Sequence, residues 1–291
     1  MRFALAISMC DPSHYLPLAR AAEASGWDAV CVPDGGPWTE RTSVAYRGGR
    51  RWWSPDTPFL DPFVVIPAMA ARTERIRFYT NVFKLPIRSP LLTARTVASA
   101  AALAPGRIAF GVGLGWNREE FDALGVEFET RGERTDEILE VLARVWSGDW
   151  VEFAGRHYAF DRLLQSPAPP TPVPIYVGGD SPAAMRRAAR FGDGWCARAP
   201  AVDDVIALVP RMDEALERAG RPREGFEILA MCPDAMEGEP LRRLEAAGVS
   251  EVQVWPWGRY GVGLGDLAGK LDAVARFAAE VIAPLRDARR H

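Results

Sequence analysis

The chain has 291 residues, 48% of them hydrophobic, and a formal net charge of −3. That is enough apolar material for one large core, and length alone permits one domain or two. The charge argues against a field that attracts nucleic acid, and no early run reads as a membrane helix or a cleavable signal. A soluble, cytoplasmic protein with no membrane or nucleic-acid partner is expected.

The elements follow in chain order. Residues 3–8 read as a strand. Residues 15–25 form a helix with Leu16, Ala19, Ala22 and Glu23 at helical spacing, stopped by Gly26. Residues 28–32 are a second strand and 61–72 a helix with Pro62 in its first turn. Residues 76–82 form strand three, 90–103 a helix and 108–112 strand four. Residues 131–146 form a helix with Ile138, Leu139, Leu142, Val145 and Trp146 on one face. Residues 150–160 read as a hairpin turning at Ala154-Gly155, and 166–174 as a proline-rich connector.

Strand five covers 175–177, a helix 182–190, strand six 195–197 and a helix 202–219. Strands seven and eight are 226–231 and 251–255, with a helix near 240–247 between them. A single helix over 267–285 closes the chain. Eight strand–helix units point to a single (β/α)8 barrel domain over residues 1–291, with 148–174 as an insertion between strands four and five. A doubly wound sheet is the alternative, but it would place a glycine-rich G-x-G-x-x-G turn after strand one, where Met9-Cys10-Asp11-Pro12 stands.

Several chemistries lack their residues. The histidines are only His14, His157 and His291, too scattered for a metal-dependent hydrolase, so no metal site is expected. A nucleophile elbow and a Walker loop are absent. Cys10, Cys31, Cys196 and Cys232 form no C-x-x-C pair and read as buried, reduced thiols. The lysines are only Lys84 and Lys270. Lys84, near the end of strand three, is the one lysine that a sugar-phosphate barrel enzyme could use there.

In a barrel of this kind the active site lies at the C-terminal ends of the strands. Strand five ends in Gly178-Gly179-Asp180-Ser181 before a helix that starts at Pro182. Glycines admit a close ligand and the helix start suits a phosphate; equally, the segment is an ordinary turn with Ser181 as N-cap. Gly113-Leu114-Gly115-Trp116 after strand four either leaves room for a flat ring or makes a tight strand exit. Trp38, Trp52, Trp53, Trp116, Trp255 and Trp257 crowd the same end and fit a lined pocket or core packing. Arg47, Arg50 and Arg51 fit an anionic tail or substrate, or a solvated loop face.

Four segments carry a family resemblance. They are Pro105-Gly106-Arg107-Ile108-Ala109-Phe110-Gly111-Val112-Gly113-Leu114-Gly115-Trp116-Asn117-Arg118-Glu119-Glu120-Phe121, Pro174-Ile175-Tyr176-Val177-Gly178-Gly179, Phe191-Gly192-Asp193-Gly194-Trp195, and Ala24-Ser25-Gly26-Trp27-Asp28 leading to Pro33-Asp34. Together they resemble the luciferase-like monooxygenase superfamily, most closely its branch dependent on the deazaflavin coenzyme F420. The resemblance covers the first two thirds of the chain and thins after Trp195.

The resemblance implies an enzyme that transfers hydride between bound F420, or alternatively FMN, and a small organic substrate, often as a homodimer. The implied cofactor contacts are Asp34, Asn81, Val82, Gly113, Gly115, Trp116, Gly178, Gly179, Asp180 and Ser181. Trp38, Trp255 and Trp257 are the implied substrate wall. It also implies a non-proline cis peptide between Asn81 and Val82, a backstop behind the ring. One departure stands out: relatives commonly carry a histidine after the strand-two aspartate, and here Asp34 is followed by Gly35. His14 is the remaining candidate acid/base at that end. An FMN-dependent monooxygenase is the alternative enzyme, and the departure also leaves open a barrel that binds flavin without turnover.

Overall fold

The structure is a computed structural model and describes residues 1–46, 51, 53–198 and 201–288. Eight parallel strands form its centre: β1 (Arg2–Ala6), β2 (Ala29–Val32), β3 (Arg77–Thr80), β4 (Ile108–Gly113), β5 (Ile175–Gly178), β6 (Gly194–Arg198), β7 (Glu227–Met231) and β8 (Glu251–Val254). They neighbour one another in chain order. The sheet closes where β8 returns to β1, with Arg2 opposite Glu251 and Leu5 opposite Val254. This is the (β/α)8 barrel expected from the sequence.

Strand composition follows from burial on both faces. One alternating set, including Phe3, Leu5, Val30, Val32, Phe78, Phe110 and Val112, packs outward beneath the helices. The other, Ala4, Ala6, Ala29, Cys31, Tyr79, Ala109, Tyr176, Cys196 and Leu229, fills the barrel. Charged groups occupy the closed end, where the strands begin. Arg77 and Arg2 Nε meet Glu251 at 2.7 and 3.2 Å, Arg2 reaches Glu227 at 2.5 Å, and the Tyr176 hydroxyl donates to Glu227 at 3.0 Å. Glu251 is fully buried, and these partners are what make a charge tolerable there.

The helices α1 (Tyr15–Ala24), α2 (Pro62–Ala70), α3 (Pro90–Leu103), α4 (Arg118–Ala123), α5 (Arg131–Val145), α6 (Pro182–Phe191), α7 (Val202–Arg218), α8 (Gly238–Ala246) and α9 (Leu267–Phe277) lie outside the strands. Their starts carry the expected chemistry: Asp61, Ser181 and Asp266 accept from the N–H groups of Phe63, Ala184 and Gly269. The buried face of α1 is Tyr15, Leu18, Ala19 and Ala22. Glu23 stands at its edge and accepts from the N–H groups of Glu74, Arg75 and Ile76, tying α1 to the start of β3.

Three boundaries differ from the sequence reading. Strand three stops at Thr80, and a short segment, Phe83–Lys84, then pairs with Val112 and Gly113 of β4. The short helix α4 has no separate counterpart in that reading. The closing helix breaks at Phe277 into a π turn (Ala278–Ile282) and a last short helix, Ala283–Asp287. Pro284 supplies no N–H to the α ladder, which explains the change. The insertion folds as expected into a hairpin, Val151–Ala154 with Ala159–Leu163. Glu137 of α5 accepts from Arg156, His157 and Tyr158 N–H at its turn.

Candidate functional site

The open end of the barrel is lined by small side chains. Ala6, Cys31 and Cys196 face inward, and Gly111, Gly113 and Gly178 carry no side chain at all. Val82 occupies part of the space so left: a Cβ on Gly113 or Gly178 would lie 2.5 or 2.9 Å from its methyls. The Asn81–Val82 peptide is cis, as the resemblance implied. Asn81 Nδ2 donates to Gln253 Oε1 at 2.5 Å. The other end of that amide, Gln253 Nε2, is buried with no hydrogen-bond partner among the described residues, and the Cys196 thiol is among the groups it acts on.

Sequence reasoning missed Gln253, although a signal was present. In the buried strand β8 the side chains alternate, so Glu251, Gln253 and Trp255 share the inner face. A polar residue in such a run is a candidate for a ligand contact. Trp255 lies two residues beyond Gln253 and packs, partly buried, on the interior cluster.

The β5 turn leads into the N-terminus of α6. Gly179 has φ +116°, a region that disfavours other residues, and its carbonyl accepts from Trp195 Nε1 at 2.7 Å. Ser181 Oγ accepts from Ala184 N–H at 3.2 Å, so the N-cap role is realised and the hydroxyl proton is still available to a ligand. Asp180 sits at the same turn. The remaining N–H groups of the first helical turn and the positive end of the helix suit a phosphate.

Other residues take roles different from those the resemblance implied. Asp34 is almost fully buried; its oxygens are held by Arg88 at 2.7 and 3.0 Å and by the Lys84 N–H at 2.9 Å. Burial pushes its carboxyl up, against the pull of Arg88 and Lys84. It fastens the segment after β3 to the loop after β2 rather than offering a free carboxylate. Gly113 makes room for Val82, and Gly115 takes φ +79° beside the Phe121 ring, so both serve the strand exit. A side chain on Gly35 would run into Phe59, which fills the place of the absent histidine.

Trp257 is a correction to the proposed substrate wall: it is 3% exposed and packed in the layer between strands and helices, with Lys270 Nζ 5.2 Å from its ring. Lys270 is fully buried, bonded to the Leu264 carbonyl and within 3.3 Å of Cys10 Sγ and 3.4 Å of His14 Nδ1. His14 thus faces this cluster. The four cysteines are buried and unpaired, and burial pushes each thiol up, Cys232 to about 12. Lys84 is paired with Glu120. Trp38, Trp53 and Trp116 lie with the loop after β2; Arg47, Arg50, Trp52 and His291 lie outside the described residues.

Comparison with known proteins identifies the family. The family model for luciferase-like monooxygenases matches residues 7–245, and the chain belongs to that family, an enzyme of the oxidoreductase class. It is 38% identical over 288 residues to an uncharacterized protein of Mycobacterium tuberculosis, covering 97% of this chain and 99% of that one. An F420-dependent glucose-6-phosphate dehydrogenase of Gordonia bronchialis is 30% identical over 243 residues, covering 81% of this chain and 68% of that one. Among solved structures, an F420-dependent secondary alcohol dehydrogenase superposes with a TM-score of 0.76 at 18% identity, covering 95% and 97% of the two chains.

Proposed function

We propose that this chain is an F420-dependent oxidoreductase that transfers hydride between the deazaflavin and a small organic substrate. The observation that carries the reading is the buried Gln253 Nε2, which has no hydrogen-bond partner among the described residues, at a barrel end lined by Gly113, Gly178 and Val82. An unsatisfied buried donor is costly unless a ligand accepts from it. The F420-dependent relatives support the choice of coenzyme.

When bound, the coenzyme supplies the hydride-carrying ring; the hard chemistry is its own. The chain's part is binding and orientation. Gln253 Nε2 would donate to an acceptor on the coenzyme while Asn81 holds its oxygen. The N-terminus of α6, with Gly179 and Ser181, would receive the phosphate. Val82 would stand against the ring, and Trp255 and Trp116 would shield the site from water.

Calorimetric titration of the purified protein with F420 and with FMN tests this. Saturable binding of F420, tighter than FMN, is expected. Binding of FMN alone would move the chain to flavin-dependent monooxygenase chemistry. Binding of either without turnover over a broad panel of acceptors would make it a carrier.

A further inference from the structure

The loop after β2 covers one side of the mouth with aromatic rings. Tyr46 meets Trp53 and Trp116 edge-on at 4.9 and 5.1 Å between centroids, and Trp53 meets Phe59 at 5.9 Å. Arg51 lies across this group. Its guanidinium is 3.7 Å from the centroid of Trp38 and 5.9 Å from that of Trp116. One of its nitrogens donates to the Thr39 carbonyl at 2.8 Å, and Asn117 Nδ2 in turn donates to Thr39 Oγ1 at 2.9 Å. The arginine is therefore positioned from both the loop and the end of β4.

What Arg51 lacks is an acid. Nearby, Arg88 pairs with Asp34, Lys84 with Glu120 and Arg118 with Glu129. No carboxylate among the described residues pairs with Arg51, and the intervening positions outside them, Arg47, Gly48, Gly49, Arg50 and Trp52, include no acidic side chain. A guanidinium has five N–H donors in a flat fork, and stacking on a tryptophan leaves that fork open at its edge. An immobilised, partly desolvated fork of this kind matches a carboxylate in two parallel hydrogen bonds. The adjoining rings offer the apolar body of the same molecule a surface, and Trp38 is 37% exposed.

From this we infer that Arg51 is a specificity-determining residue that holds the carboxylate of a small organic acid, whose apolar part lies against Trp38 and Trp116. The inference rests on the proposed function, because it takes this mouth as the substrate entrance. It narrows the substrate class to acids with a reducible carbonyl, imine or activated double bond. The coenzyme's own anionic tail has the same chemistry, and the experiment separates the two sources.

Wild type and Arg51→Met, which keeps an apolar stem beside Trp38, are titrated calorimetrically with benzoate, with its neutral counterpart benzamide, and with F420. Benzoate is expected to bind wild type about tenfold more tightly than benzamide, the scale of one charge-assisted pair. Arg51→Met is expected to lose that advantage while keeping its affinity for benzamide and for F420. Equal binding of benzoate and benzamide by wild type overturns the inference. So does a variant that loses F420 affinity but not benzoate, because Arg51 would then serve the coenzyme tail. Absence of F420 binding to wild type sinks the cofactor reading instead, so the two failures are distinguishable.

Discussion

Gln253 is the residue at which the fold and the proposed chemistry meet. Its oxygen is taken by Asn81 and its nitrogen is buried and unsatisfied. Gln253→Glu keeps an acceptor for Asn81 and removes the donor. It is expected to weaken F420 binding by about tenfold or more, of order 1–2 kcal/mol for one buried hydrogen bond, as read by titration. Far-UV circular dichroism should be unchanged.

Glu23 carries a different kind of prediction. Burial works to raise its carboxyl, but the N–H groups of Arg75, Ile76 and Glu74 outweigh that and hold it below the ordinary range. Such a group adds stability that is fully present above its unfolded value, about 4.3, and is lost as pH falls through the folded one. Thermal melts of wild type should therefore fall on acidification through this window, and Glu23→Ala should flatten that fall. At neutral pH the variant loses the hydrogen bond to the part-buried Ile76 N–H and two to exposed N–H groups that water can take over, for a loss of about 1 kcal/mol.

At the scale of elements, the α6 turn and the α2–α3 face each make a claim. Gly179 needs its left-handed φ, and a Cβ there would lie 3.0 Å from Ala184. Gly179→Ala should destabilise the turn by about 1 kcal/mol or more and weaken coenzyme binding more than it lowers the melting temperature. A Kd shift no larger than the stability loss explains would remove the phosphate role from this turn.

The helices α2 and α3 pack side by side and carry one charged side chain between them, Arg95. Yet Val64, Leu92 and Leu103 are 70%, 67% and 75% exposed. Exposed large apolar side chains on adjoining helices can mark an interface. We propose that a second copy covers it, giving a homodimer. Sedimentation velocity should show a dimer for wild type and a monomer for the double variant Val64→Asp, Leu92→Asp. A wild-type monomer at micromolar concentration would refute the assignment.

Across the whole molecule the barrel is polar in function. One end is sealed by Arg2, Arg77, Glu227 and Glu251; the other is lined by alanine, cysteine and glycine. Glu251→Ala takes the acid from Arg77 and one of two from Arg2, which keeps Glu227, and should lower stability by about 3 kcal/mol, read as denaturant midpoint. Its folded fraction should bind F420 as wild type does, because the site lies at the other end. The longest helix of this barrel, α7, is neither long nor apolar enough to cross a membrane, and the same holds for every described helix.

By itself the sequence determined what local chemistry and periodicity can specify. Eight apolar runs alternating with amphipathic helices defined a barrel, Ser181 and Pro182 marked the start of α6, and the ordered glycine and tryptophan motifs named a family. Tertiary structure decided the assignments that depend on which side chains meet across the chain. Asp34 finds Arg88, Gly113 yields its space to Val82, Phe59 fills the place beside Gly35, and Trp257 turns into the wall with Lys270. Arg51 comes to rest on Trp38 and Trp116, one near it in sequence and the other far along the chain. Spacing along a chain fixes which face a residue occupies on its own element, whereas burial and pairing are settled only when closing the barrel brings distant strands and loops together.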